Sequence, residues 1–201
     1  MNYLAHLYFS GDDPELQVGG LLGDFVKGPL RDRYPAGVEA GIRRHRRIDA
    51  LCGELPAIRG LIASVEPPWR RYAGIVVDVL FDHLLAQQWA RFHPRPLAEV
   101  CAQFYRALAH HRALLPEPAR RFSDLAPAQR WLERYDDPRH MDAILERIGQ
   151  RLRRPLSLAP VWAALRNRPE ETVTAAFRDT MTAVANVCRA DPHRLDAPGL
   201  L

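Results

Sequence analysis

Seventeen prolines divide this 201-residue chain, and almost all of them fall between segments whose apolar residues recur at helical spacing. Proline inside a helix removes a hydrogen bond and clashes with the preceding turn, so its placement marks where helices start and stop. Asp13-Pro14-Glu15 reads as an N-cap followed by a first-turn proline, opening a helix to about residue 25 that Gly28-Pro29 closes. Helices at 38–52 and 56–64 follow. The longest segment runs from Pro67 to Phe92 and repeats Ile75, Val79, Leu80, Leu84 and Leu85 at helical spacing. Its β-branched run IVVDVLF resembles a buried strand, but the apolar pattern continues through LLAQQWA without a turn signal, which favours helix. Further helices are expected at 96–114, 117–122, 126–135, 138–150, 157–166 and 169–189. The last carries Glu170 and Glu171 in its first turn, where the helix dipole favours acids. The expected architecture is all-α: a single multi-helix domain over residues 1–189, with a loose tail at 190–201.

Composition narrows the classes. Hydrophobic residues make up 47% and charged residues 26%, which excludes disorder as the main state. Three cysteines, Cys52, Cys101 and Cys188, are odd in number and show no CxxC spacing, so neither a disulfide framework nor a zinc ribbon is expected. No apolar run is long enough to span a bilayer, and MNYLAHLYFSGDD lacks the basic n-region of a signal peptide. These features point to the cytoplasm, without membrane insertion. The formal net charge is +4, and all but one of the 28 basic residues are arginine, Lys27 being the exception. Arginine's planar donor fork suits carboxylates and phosphates, so an acidic protein, a phosphate-bearing ligand or nucleic acid is permitted as partner.

The acids and histidines of the first half sit in apolar or small-residue surroundings. His6 lies in YLAHLYF, Asp24 follows GGLLG, Asp78 lies in GIVVDVLF, and Asp82-His83 comes next. An ionised carboxylate in such a place is costly unless it is paired or binds a metal. Asp78 and Asp82 are four apart and share one helix face, where like charges repel and a divalent cation would turn repulsion into ligation. His83 projects about 100° around the helix from Asp82, at the edge of that face. His45 and Asp49 form a second pair four apart, as two ligands or as a ligand with its orienting partner. Nitrogen and oxygen donors from several helices suit manganese, magnesium, iron or zinc. Taken singly, each residue has an ordinary explanation: a satisfied core histidine, a loop cap, or an arginine pair. Their joint occurrence on a few helices is what makes a site. His93, His140 and His193 stand beside prolines or arginines and are expected at the surface, as are His110 and His111.

Arginine clusters at Arg43-Arg44-His45-Arg46-Arg47 and Trp69-Arg70-Arg71-Tyr72 adjoin these residues, which points to an anionic substrate or partner at a metal centre. Further runs at Arg120-Arg121 and Arg151-Leu152-Arg153-Arg154 are expected to lie farther from it. No recognised nucleic-acid motif is present, so nucleic acid is not the expected partner. GxSxG, P-loop and GxGxxG patterns are also absent.

The four ordered segments MNYLAHLYFS, GLLGDFVKG, GIRRHRRIDAL and AGIVVDVLFDHLLAQQW resemble the acyl carrier protein phosphodiesterase family, over about the first 95 residues. The resemblance implies removal of the 4′-phosphopantetheine group from holo-acyl carrier protein by hydrolysis of a phosphodiester. It also implies a divalent metal, usually manganese, and a helical fold distantly like the HD phosphohydrolases, although this chain carries the reverse order Asp82-His83. Within the matched motifs, Asp24, Asp82, His83 and His6 are the expected metal ligands. His45, Asp49 and Asp78 are the expected catalytic groups. Arg43, Arg44, Arg46, Arg47, Arg70 and Arg71 are expected to meet the phosphate or the acidic carrier. The residue chemistry agrees, because phosphodiester hydrolysis needs an activated water and neutralised phosphoryl oxygens. Two rivals remain at this stage: an HD-like nucleotide phosphohydrolase, and a non-catalytic helical module that binds an acidic protein or nucleic acid.

Overall fold

A computed structural model describes residues 1–190, and within them the chain forms eleven α-helices and no strand. The first three build the site. Helix α1 spans Tyr3–Ser10, α2 spans Pro14–Leu22 and α3 spans Ala36–Glu54. Asp13 caps α2 as its sequence predicts, its side chain accepting from the backbone N–H of Glu15 and Leu16. Helix α2 leans on α3 more closely than ordinary side chains allow. A Cβ on Gly19 would overlap the Val38 carbonyl and the Gly41 backbone, so the two glycines let the helices touch backbone to backbone.

Helix α4 (Pro56–Ala63) is followed by a short 3-10 turn at Trp69–Tyr72 and then α5 (Ala73–Gln87). The continuous helical segment expected from residue 67 to 92 is therefore broken twice. Tyr72 precedes α5, and Gln88 separates it from the one-turn α6 (Trp89–Phe92). The strand-like run IVVDVLF is helical, and α5 is buried nearly all round because its apolar residues face neighbours on every side. The C-terminal half is α7 (Leu97–His110), α8 (Glu117–Gln129), α9 (Pro138–Arg151), α10 (Ala159–Arg166) and α11 (Glu170–Arg189). Residues 117–129, expected as two helices, form one helix that carries Pro127 in its last turn. It ends at Arg130 in a left-handed conformation, and residues 131–136 are turn rather than helix.

One apolar core runs through the described residues, from Leu4 on α1 through Phe81 on α5 to Phe177 on α11. Among these helices none is long and apolar enough to cross a membrane. Of the tail expected to be loose, all but Ala190 lies outside the described residues. Two surface expectations fail. His93 and His140 are buried, and His140 Nε2 lies 2.9 Å from the Trp131 carbonyl, so a neighbouring turn closes over each ring. His193 lies outside the described residues.

Candidate metal centre

Helix α1 is short, and its first turn would leave backbone N–H groups without partners. Asp82 on α5 supplies them. Its carboxylate is fully buried and accepts from Leu4 N at 2.8 Å and Ala5 N at 3.0 Å. Burial pushes the Asp82 carboxyl up to about 7, against the pull of those two donors. The residue expected to bind metal therefore spends both oxygens holding α1 in place. What α1 presents from that position is His6.

His6 stacks on His45 of α3, with ring centroids 3.8 Å apart. Asp49, also on α3, bridges the Nε2 edges of both rings. His6 Nε2 lies 3.1 Å from Asp49 Oδ1, and His45 Nε2 lies 3.0 Å from Asp49 Oδ2. His45 is set by α2. Its Nδ1 faces the Gly20 carbonyl at 2.8 Å and must carry the proton, since a carbonyl only accepts. A Cβ on Gly23 would overlap the His45 ring, so glycine there makes the room for it. With Nδ1 facing that carbonyl, Nε2 is the atom that meets two carboxylates, Asp49 and Asp24, the latter 3.8 Å away. Either a proton on Nε2 or a bound cation can bridge these groups, and a backbone-oriented imidazole is the usual second contact of a metal-binding histidine.

His6, His45 and Asp49 offer donor atoms that all lie within 4.8 Å of one another. Asp24 joins from the turn after α2. Its carboxyl is raised, first by burial and then by the nearby Asp49, while His45, Lys27 and the Met1 amine pull the other way. The two histidines are buried, but Asp49 and Asp24 keep 45% and 43% of their side chains exposed, so the centre opens to solvent on its carboxylate side. Burial lowers the His6 imidazole to about 4 despite its bond to Asp49, which keeps the ring neutral at physiological pH. Asp49 goes far below the usual carboxylate range. Burial opposes this and is outweighed by His45, His6 and the Met1 amine together.

That amine is the member of the site that sequence reasoning missed. The Met1 ammonium lies 3.0 Å from Asp78 Oδ1 and 3.6 Å from Asp49 Oδ1. Burial alone would lower its pKa, but the attraction of Asp78, Cys52 and Asp49 carries it up to about 11. Asp78 therefore faces the chain's own amine and stands one residue removed from the cluster. Nothing in the side-chain pattern signals this partner. The glycines of GGLLGD did carry a signal, because small residues beside an acid mark a close approach.

The remaining expected residues lie elsewhere. His83 turns away from Asp82, with Nδ1 2.7 Å from the Tyr135 carbonyl and its ring against Trp162. Among the arginines, Arg44 is buried and donates to the Phe9 carbonyl, and Arg43 pairs with Glu39 at 2.6 Å. Arg46 donates to the carbonyls of Gly28 and Val26, which pins the loop that follows Asp24. Arg70 donates to the Val65 carbonyl, and Arg71 stacks over Tyr72 at 4.7 Å. Arg47 is exposed on α3. These arginines largely build the frame around the centre.

Fold and cluster together define an all-helical protein with a half-open histidine–carboxylate centre between its first three helices. A family model described as acyl carrier protein phosphodiesterase matches residues 1–184. A relative from Enterobacter sp. (strain 638), named acyl carrier protein phosphodiesterase, is 36% identical over 169 residues, covering 82% of this chain and 86% of its own. Relatives of the same name from Serratia proteamaculans and Klebsiella pneumoniae are 35% and 33% identical, covering 81% and 89% of this chain and 85% and 93% of theirs. No solved structure matches. The chain belongs to the acyl carrier protein phosphodiesterase family.

Proposed function

We propose that the protein hydrolyses the phosphodiester that joins 4′-phosphopantetheine to holo-acyl carrier protein, releasing apo-carrier. The observation that carries this reading is the family match across residues 1–184, together with relatives of that name aligned over more than four-fifths of the chain. The histidine–carboxylate cluster supplies the place. His6, His45, Asp49 and Asp24 are the residues that would hold a divalent ion, with manganese as the proposed metal. Such an ion lowers the pKa of a bound water and neutralises phosphoryl charge.

The chain's own residues do the rest. Asp82 fixes α1 and hence His6. The Gly20 carbonyl fixes the His45 tautomer. Asp49 holds both rings in register, and the Met1 ammonium steadies Asp49 and Asp78. In the reaction a bond forms between water oxygen and phosphorus while the bond from phosphorus to the serine oxygen breaks, and that oxygen takes up a proton. The exposed carboxylate side is where an attached phosphodiester reaches the centre. Three buried free cysteines agree with a reducing, cytoplasmic setting.

The test is incubation of holo-carrier protein with the enzyme and manganese, read by intact mass. The expected result is loss of the prosthetic group, abolished by chelator. Small nucleotides in the same panel address the rival nucleotide phosphohydrolase, whose signature is nucleotide turnover with intact holo-carrier. A protein that turns over neither and holds no metal fits the binding module instead.

A further inference from the structure

Beside the metal centre lies a cavity of about 610 Å³, inside the ~300–1,000 Å³ range of small-molecule sites. One wall is Asn2, Tyr3 and Phe25, the immediate neighbours of the centre on α1 and after Asp24. The facing wall is Phe122 and Leu125 from α8 and Ile148 from α9. Tyr3 and Phe122 meet across it with ring centroids 5.2 Å apart. Leu125 is 56% exposed, the one large hydrophobic side chain left so open among the described residues. On α8 it stands one turn from the exposed Arg121 and Gln129, so an apolar side chain there gains nothing until something covers it.

We infer that this cavity seats the pantetheine arm of the substrate, with Leu125, Phe122 and Tyr3 as the residues that grip it. The inference rests on the phosphodiesterase reading and adds to it a subsite. The arm begins at the phosphate and carries a dimethyl-branched carbon, two amides and a terminal thiol. The branched carbons and methylenes match the aromatic and aliphatic walls. The amides match the side chains of Asn2 and Gln129, which both line the cavity. Continuity with the centre is direct. Phe25 directly follows Asp24, and Tyr3 stands on α1 one turn before His6, so the cavity wall and the centre share the same two chain segments. The rim carries Arg121, Arg147 and Arg151, all exposed, where an acidic carrier would rest once its arm is inserted. Arg151, expected from the sequence to lie far from the site, is thus part of its approach.

The probe is free pantetheine, titrated calorimetrically into the full chain. The wild type is expected to bind it. Leu125→Asp is expected to weaken binding by about tenfold or more, since it replaces buried apolar contact with a charge. Leu125→Met keeps an apolar side chain of similar size and is expected to restore wild-type affinity. Because Leu125 is exposed, both variants should unfold at the wild-type midpoint, and Phe122→Ala provides a second variant on the same wall. Equal affinity in wild type, Leu125→Asp and Phe122→Ala overturns the inference, as does absence of pantetheine binding to the wild type. The two readings fail separately. Release of the arm from holo-carrier together with equal pantetheine affinity in all variants removes the subsite and leaves the phosphodiesterase. Pantetheine binding that depends on Leu125, in a protein that leaves holo-carrier intact, keeps the subsite and removes the phosphodiesterase.

Discussion

Helices α3 and α5 each carry two polar residues four apart, and the two pairs end in different chemistry. On α3, His45 and Asp49 converge, Nε2 to Oδ2 at 3.0 Å, and gather His6 and Asp24 around them. On α5, Asp78 and Asp82 part. One faces the Met1 ammonium, and the other gives both oxygens to the first turn of α1. The difference lies in what stands opposite. Helix α3 turns its pair toward a half-open gap, where exposed carboxylate oxygens remain available. On α5, Asp82 is fully buried and takes the nearest backbone donors, while Asp78, its side chain 40% exposed, has the Met1 ammonium set against it. Equal spacing gives a shared face; the neighbour decides whether that face is a site or a strut.

The sharpest way to break this contrast is to remove Asp49. Asp49→Ala is expected to cut turnover of holo-carrier on the order of a thousandfold and to empty the centre of metal. Intact-mass assays and elemental analysis read the two effects. Near-normal turnover would move the centre off α3.

Acid titration compares the buried ring with the open carboxylates. The folded His6 value of about 4 lies below the ordinary histidine value of about 6.5, so between these pH values the unfolded chain holds a proton that the folded chain does not. The His6 contribution to stability is therefore complete above about pH 6.5 and is lost as pH falls toward 4, by at most roughly 3 kcal/mol. Urea unfolding of wild type and His6→Asn in metal-free buffer should show the gap between them shrinking over that window. Titrations of groups distant from His6 cancel in the comparison. A gap independent of pH would mean that His6 is not held neutral.

Asp78 tests whether the α5 pair touches the centre at all. Asp78→Ala leaves the Met1 ammonium with Asp49 as its remaining carboxylate, at 3.6 Å, so the amine should compete with metal for that group. Manganese affinity is expected to fall about 10- to 100-fold, the usual range for a residue that orients a ligand. Unchanged affinity in a calorimetric titration would show that Asp78 serves the amine alone.

The smallest effect belongs to Asp82. Loss of a side chain that caps two backbone donors costs about 1–2 kcal/mol, so Asp82→Ala should unfold at lower urea. At saturating manganese it should still bind metal in wild-type stoichiometry. A folded Asp82→Ala protein without metal would restore Asp82 as a ligand and erase the contrast between the two helices.

By itself the sequence determined the helices and the residues from which a centre could be made. Proline placement and apolar period are local properties, and α2, α9, α10 and α11 appear close to where Asp13-Pro14, Asp137-Pro138, the 157–166 segment and Pro169 set them. The breaks at Tyr72 and Gln88 were not legible, because no proline stands at either and the apolar pattern runs on across Gln88. The cost of placing His6, Asp24, Asp78 and Asp82 in apolar or small-residue surroundings was also legible, since it follows from residue type and neighbours. Which of them meet was decided only by tertiary structure. His6 reaches Asp49 across 43 positions, and Asp82 reaches Leu4 across 78. Glycine contact between α2 and α3 brings Gly20 to His45, and a backbone amine with no side-chain signature completes the set. A carboxylate's role follows from the donors that folding places beside it, and the fold, through helices brought together from distant parts of the chain, chooses those donors.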